Sequence, residues 1–255
     1  MKTMNPLLTE TLLEETFLFD RYPLPADSTH VVEAQPDSRL VFITDPEGLA
    51  VEQYRMLRRR LEERCPAGGV VLVTSPGPSE GKTLTSLNLA WCFADSGEAI
   101  CLVEMDFRAA GLTKTLGVPF TQDGLEEVLR GTHPIEGAVC RVEGTFLDVL
   151  AVKEPTISPA RFLMPKQVLP FLTELRSKYR WVVLDLPPTV PFADVAEVLP
   201  FVDGALLVVR AGKTRKSLLS GPVAILGDKL WGVVLNDVPV EGGSYYGYYG
   251  ALSKK

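Results

Sequence analysis

The stretch VVLVTSPGPSEGKTLTSLNLAWCFADSG, residues 70–97, decides the fold. It opens on a short continuous apolar run, the pattern of a strand buried on both faces. It then passes through a tight loop of Ser, Pro and Gly and continues as an amphipathic helix. Strand, loop and helix in that order make a phosphate cradle. Backbone N–H groups of the loop and of the helix start point at phosphate oxygens, a lysine reaches the β and γ phosphates, and a Ser or Thr hydroxyl holds Mg²⁺. Gly81, Lys82 and Thr83 fit those roles, and Lys82 is expected to serve the phosphates rather than the core. The strict spacing GxxxxGK[ST] is not met, because its first glycine falls on Pro76 and Gly77 stands one place later. An ordinary strand-to-helix turn is the competing reading; strand, loop, GKT and helix together outweigh it.

Further apolar runs extend the pattern on both sides: AICLVE, FLDVLAV, WVVLDL, ALLVVRA and WGVVLN, most of them separated by stretches with room for a helix. Continuous apolar strands alternating with helices predict an α/β fold, a mostly parallel sheet with helices on both faces. Ahead of the first strand, EGLAVEQYRMLRRRLEER puts Leu49, Tyr54, Leu57 and Leu61 at helical spacing. Residues 1–45 mix Pro23, Pro25 and Pro36 with polar residues and carry one brief apolar patch, LLEETFLF, so they read as a flexible N-terminal arm. A single domain over residues 46–240 and a tail over 241–255 complete the expected organisation.

Two strand ends supply carboxylates for a metal and a reacting group. Glu104 and Asp106 follow AICLV, with Arg108 close behind, and Asp185 closes WVVLD. Strand C-termini of such a sheet open into the ligand crevice, so these acids converge on the phosphate loop. A lone acid there is often a helix cap; two such ends beside a phosphate loop favour a metal site. No NKxD motif is present, which tilts the nucleotide towards ATP.

These residues resemble the bacterial tyrosine autokinases of capsule and exopolysaccharide synthesis, over about residue 45 to the C-terminus. The resemblance rests on PSEGKT as Walker A, LVEMDFR as Walker A′, VVLDLPP as Walker B, the strand DGALLVVRAGKT, GVVLND, the helix EQYRMLR and the tyrosine-rich end GGSYYGYYGALSKK. It implies a P-loop NTPase fold of the deviant-Walker, MinD-like kind and an ATP- and Mg²⁺-dependent tyrosine kinase. Ser79, Glu80, Gly81, Lys82, Thr83 and Leu84 would bind the phosphates, with Asn236 near the adenine. Thr83, Asp106 and Asp185 would hold Mg²⁺, and Lys82, Glu104, Asp106 and Asp185 would be catalytic. Glu52, Arg55 and Arg58 match an ExxRxxR motif associated with packing of subunits into a ring. The implied partners are copies of itself and a separate transmembrane polysaccharide co-polymerase that activates it. At Glu104 the chain departs from the family, which usually carries aspartate there; glutamate reaches one methylene further.

Four of the seven tyrosines, Tyr245, Tyr246, Tyr248 and Tyr249, crowd into the glycine-flanked tail. Glycines offer no regular face on which to bury them, so access rather than packing is expected, and they are the expected sites of autophosphorylation. The rival within the wider class is a MinD- or ParA-like ATPase switch, but such proteins carry a lysine where Gly77 stands. A non-catalytic nucleotide-binding regulator is the other rival, with Glu104 as its support. The formal net charge of -6 argues against a general nucleic-acid surface. The run Arg58, Arg59, Arg60 is interleaved with Glu62 and Glu63 and reads as a solvated helix face. Lys213, Arg215 and Lys216 follow a strand end, facing either the phosphates or an acidic tail. The four cysteines and two histidines show no metal or redox spacing. With no apolar run of ~18 residues and no signal-peptide start, a cytoplasmic location is expected, with recruitment to the inner face of the membrane by the partner.

Overall fold

All six apolar runs form strands; the inner ones do so because both of their faces are covered, whereas on the last of them, WGVVLN at the edge of the sheet, Val233 and Leu235 are exposed. The computed structural model describes residues 29–32, 38–117 and 124–239. Its strands are β1 (Thr29–His30), β2 (Gly69–Thr74), β3 (Ile100–Glu104), β4 (Cys140–Val142), β5 (Leu147–Leu150), β6 (Trp181–Asp185), β7 (Gly204–Arg210) and β8 (Leu230–Asn236). They lie in one sheet in the order β1-β4-β5-β3-β6-β2-β7-β8. All neighbours run parallel except β4 and β5, which are antiparallel.

Alternate residues of each central strand feed two separate cores. Val70, Leu72, Val103, Leu184 and Leu207 enter one. Val71, Val73, Leu102, Val183 and Val208 enter the other. Helices α2 (Leu49–Arg64) and α3 (Lys82–Asp95) cover the second face, where Phe93 stacks on Trp181 with centroids 4.6 Å apart. Helices α5 (Leu125–Arg130), α6 (Ile135–Ala138), α7 (Pro165–Lys178), α8 (Asp194–Val198) and α9 (Ser220–Leu226) cover the first. Each fully buried side chain of this size contributes about 1.5–3 kcal/mol, so a continuous apolar strand is stable only with helices on both sides.

Part of the expected arm is fixed to this body. Leu40 is buried, and the helical turn α1 (Val41–Thr44) follows it. Asn88 of α3 clamps this segment, accepting from Val41 N–H at 2.9 Å and donating to the Arg39 carbonyl at 2.9 Å. Strand β1, also within the expected arm, pairs with β4 at the edge of the sheet. Residues 1–28 and 33–37, and the tail with Tyr245, Tyr246, Tyr248 and Tyr249, lie outside the described residues.

Candidate active site

The parallel register places the acids at one level. Glu104 and Val73 both stand opposite Asp185 across their strand pairs, so the C-terminal ends of β3, β6 and β2 share an edge. The phosphate loop leaves β2 at that edge. Ser79 and Gly81 take positive φ, 62° and 91°, and the turn they make hands the chain to the N-terminus of α3. That turn aims N–H groups and the positive end of the helix dipole into the crevice. The loop is braced by the segment after β6. Thr74 donates its hydroxyl to the Pro187 carbonyl at 2.7 Å, and Thr189 N–H donates to the Ser75 carbonyl at 2.9 Å.

Lys82, the first residue of α3, points into the crevice between two carboxylates. Its Nζ lies 2.8 Å from Asp106 Oδ2, 3.8 Å from Asp185 Oδ2 and 3.4 Å from Thr83 Oγ1. The lysine side chain is 12% exposed and the two aspartates 4% and 1%. Burial alone would lower the lysine pKa, but Asp185 and Asp106 outweigh it and hold the ammonium above the ordinary lysine range. Burial pushes the Asp185 carboxyl up, against the pull of Lys82, Thr83 and Ser86 towards the carboxylate. Sequence reasoning missed Ser86, whose hydroxyl donates to Asp185 Oδ1 at 3.1 Å; the signal that could have found it is its place one turn after Lys82.

Glu104 is differently employed. Oε1 accepts the N–H groups of Gly111 and, at 2.9 Å, of Leu112, and Oε2 accepts Val152 N–H at 3.1 Å. It therefore caps the start of α4 (Leu112–Leu116) and ties it to the chain leaving β5. Burial raises its pKa to about 7 in spite of these bonds. Asp106 accepts Ala109 N–H at 3.1 Å through its other oxygen. Arg108, two residues on, pairs with the buried Asp194 and lies over the Phe192 ring at 4.2 Å.

Asn236, at the end of β8, reaches the phosphate loop and donates Nδ2 to the Glu80 carbonyl at 2.9 Å. The Glu80 carboxylate turns away from the phosphates, towards the end of β7. Lys213, Arg215 and Lys216 are exposed on the loop after β7. On α2, Glu52 pairs with Arg55 at 2.5 Å, Arg55 reaches Asp95 of α3 at 3.5 Å, and Arg58 lies 3.7 Å from Glu62. These three residues stand apart from the crevice in sequence and in their partners.

A magnesium ion suits the donor set. Thr83, Asp106 and Asp185 offer hard oxygens, and Asp185 Oδ2 is buried with no hydrogen-bond donor. Among the described residues no cluster of three or more His, Cys, Asp and Glu side chains could hold a metal. Mg²⁺ beside a nucleotide needs none, since one or two carboxylates and the phosphates suffice.

No family model matches the chain. Over 216 residues it is 32% identical to tyrosine-protein kinase YwqD of Bacillus subtilis (strain 168), covering 83% of this chain and 91% of that one. It is 30% identical over 202 residues to tyrosine-protein kinase CpsD of Streptococcus pneumoniae serotype 4, covering 77% and 88%. The chimerical protein CapA2B2 shares the fold at a TM-score of 0.75 and 23% identity, over 89% of this chain and all of that one. The septum site-determining protein MinD of Pyrococcus horikoshii, complexed with Mg-ADP, shares it more distantly, at a TM-score of 0.55 and 20% identity over 65% and 69% of the two chains. The sheet order, the phosphate loop and two kinase relatives aligned over more than three quarters of its length agree: the chain belongs to the family of bacterial tyrosine-protein kinases.

Proposed function

We propose that the chain is an ATP-dependent protein-tyrosine kinase that phosphorylates its own C-terminal cluster, Tyr245, Tyr246, Tyr248 and Tyr249, in trans. The observation that carries this reading is the meeting of Lys82, Asp106 and Asp185 at the N-terminus of α3, in a chain related to named tyrosine-protein kinases. In the reaction a tyrosine oxygen attacks the γ-phosphorus while the bond from that phosphorus to the leaving ADP oxygen breaks. The phenolic proton passes to a crevice carboxylate, Asp106 or Asp185. Lys82 and the N–H groups of Gly81 to Leu84 receive the charge on the β and γ phosphates. Thr83, Asp106 and Asp185 would hold Mg²⁺, which neutralises phosphate charge when bound.

Residues 46–240 serve as the kinase domain, including the helix that bears Glu52, Arg55 and Arg58, and residues 241–255 as the acceptor tail. The resemblance to capsule and exopolysaccharide kinases assigns the activity to control of polysaccharide synthesis or export. A ring of copies would be recruited to the inner membrane face by a transmembrane co-polymerase. Among the described residues no helix is long and apolar enough to cross a membrane.

The test is intact-mass measurement after incubation with Mg-ATP, with and without phosphatase and with the cytoplasmic end of a co-polymerase added. Successive phosphate additions mapping to the tail support the reading. ATP hydrolysis without any phosphotyrosine would instead favour a MinD-like switch.

A further inference from the structure

Phe162 is buried, yet two exposed arginines close over it. The guanidinium carbon of Arg130 lies 5.0 Å from the centre of its ring, and that of Arg161 lies 4.7 Å from the same centre. The two cations come from separate elements, Arg130 from the last turn of α5 and Arg161 from the helical turn Pro159–Arg161. Arg130 is 42% exposed and pairs with Glu127 at 2.8 Å, an i, i+3 contact of the kind that gives way to another anion at little cost. Among the described residues no carboxylate pairs with Arg161. Two guanidiniums over one ring repel each other, and a further anion between them relieves that repulsion.

The pair stands close to the crevice. Phe162 stacks on Phe107, with centroids 5.1 Å apart, and Phe107 follows Asp106, the acid nearest Lys82. Thr156 N–H donates to the Phe107 carbonyl at 2.7 Å, so the segment leading from β5 to Arg161 runs beside the chain that carries this acid. From the Asp106 carboxylate through the two stacked rings to either guanidinium is a path of roughly 20 Å at most. Tyr245 and Tyr249 are separated by about 13 Å of extended chain at ~3.3 Å per residue, and each side chain adds its own length. One tail can therefore place one tyrosine in the crevice and another at the arginines.

We propose that Arg130 and Arg161 form a phosphotyrosine-binding subsite, which holds a tail tyrosine already phosphorylated while another tyrosine of the same tail occupies the crevice. The inference rests on the kinase reading given above. A phosphate dianion accepts the forked N–H groups of both guanidiniums, and the phenyl ring stacks on a guanidinium face. Docking by the first phosphate raises the effective concentration of the remaining tyrosines at the crevice, so later additions run faster than the first.

The test begins with two synthetic peptides of sequence GGSYYGYYGALSKK, one unmodified and one phosphorylated at the position of Tyr248, bound to the phosphatase-treated full chain with Mg-ADP present. The phosphorylated peptide is expected to bind at least about tenfold tighter, and to be displaced by phenyl phosphate but not by sulfate at equal ionic strength. Arg161→Met keeps apolar cover on Phe162 without the charge and should abolish the preference, as should Arg130→Met; Arg161→Lys, which keeps charge without the fork, should retain part of it. The arginines lie on different elements, so if one variant folds poorly the other decides. In an intact-mass time course with Mg-ATP, the rate of the second addition should exceed that of the first in the parent and fall below it in either methionine variant. Independent additions would give a ratio below one throughout, because one acceptor is already used. If Arg161→Met and Arg130→Met both keep the preference, the arginines only cover Phe162 and the proposal fails. Displacement by sulfate as effective as by phenyl phosphate would make the pair a general anion patch and equally overturn it. A parent that phosphorylates its tail but binds both peptides alike overturns this inference alone, and a parent that gains no phosphate overturns the kinase reading with it.

Discussion

Lys82 was expected to serve the phosphates alone, but in the structure it is also what allows Asp106 and Asp185 to be buried side by side. Removing one partner of a buried ion pair leaves the other uncompensated, at a cost of about 3–5 kcal/mol when burial is complete. Lys82→Met is therefore expected to lose autophosphorylation by at least about 100-fold and to lose stability as well, by roughly 1–4 kcal/mol near pH 8. Without the lysine the Asp185 carboxyl, already raised by burial, loses the charge that pulls it down, so the loss should shrink as the pH falls and this acid protonates. Urea denaturation at pH 8 and pH 5.5 measures both; a variant as stable as the parent at pH 8 would show that the native lysine does not pair with these acids. Glu104 makes the opposite case. Its pKa is raised from 4.5 to about 7 by burial, so between those values the native carboxyl keeps a proton that the unfolded chain has lost. Stability from this group is then greatest below about pH 4.5 and declines as the pH rises through about 7, a span on the order of 3 kcal/mol. In magnesium-free protein the parent should gain on Glu104→Gln by that order as the pH falls from 8 to 5. A difference that stays flat across the window would mean that Glu104 is ionised in the fold. Glu104→Asp, one methylene shorter, cannot reach Gly111, Leu112 and Val152 together and should lose stability rather than gain activity.

At the scale of elements, α2 bears Glu52, Arg55 and Arg58 at i, i+3 and i+6, on one broad face. The Glu52 and Arg55 side chains are 56% and 42% exposed, and their mutual pair is worth about 0–1 kcal/mol at most. Such a pair can exchange for a partner across a subunit boundary at little cost. The double variant Arg55→Ala, Arg58→Ala should leave the unfolding of the monomer within about 1 kcal/mol of the parent while lowering the sedimentation coefficient of the oligomer. A parent that remains monomeric at high concentration, with nucleotide and co-polymerase fragment present, would end the assignment. The same helix illustrates what a sequence makes legible. Its 3.6-residue pattern and the six apolar runs were readable because each reflects burial that repeats along the element. Strands β1 and β4, of two and three residues, are too short to carry a period. The segment at Leu40 is held by Asn88, 47 residues from Val41, and nothing local announces that bond. At the site, Lys82 could be found because the loop motif before α3 marks it, and Asp106 and Asp185 because strand ends do. The partners of Glu104 and Glu80 could not, since Val152 lies 48 residues away from the first and Thr214 lies 134 from the second.

For the whole molecule, the proposed transfer in trans relates one crevice to another chain's tail. Strand β8 runs parallel to β7 and ends at Asn236, at the edge where the phosphate loop and the acids gather. Val238 follows, and about ten residues lead from it to Tyr248; an extended chain covers ~3.3 Å per residue, a reach of roughly 33 Å. In an oligomer a tail of that reach would be long enough to enter a neighbour's crevice. Each phosphotyrosine carries about -1.5 to -2 near neutral pH, so full modification places roughly -6 to -8 on one tail. That is at least as large as the formal charge of -6 on the unmodified protein. In a ring these charges lie close together, and their repulsion should release subunits once the tails are filled. The expected outcome is tested by mixing a Lys82→Met chain, which has a tail but no working site, with a chain truncated after residue 240, which has a site but no tail. With Mg-ATP and a co-polymerase fragment, phosphate should appear on Tyr245, Tyr246, Tyr248 and Tyr249 of the Lys82→Met chain, at a rate that rises with the concentration of the truncated one. A Lys82→Met tail that stays unmodified, under conditions in which the parent labels its own tail, would confine the transfer to a single chain and remove the basis for release by charge.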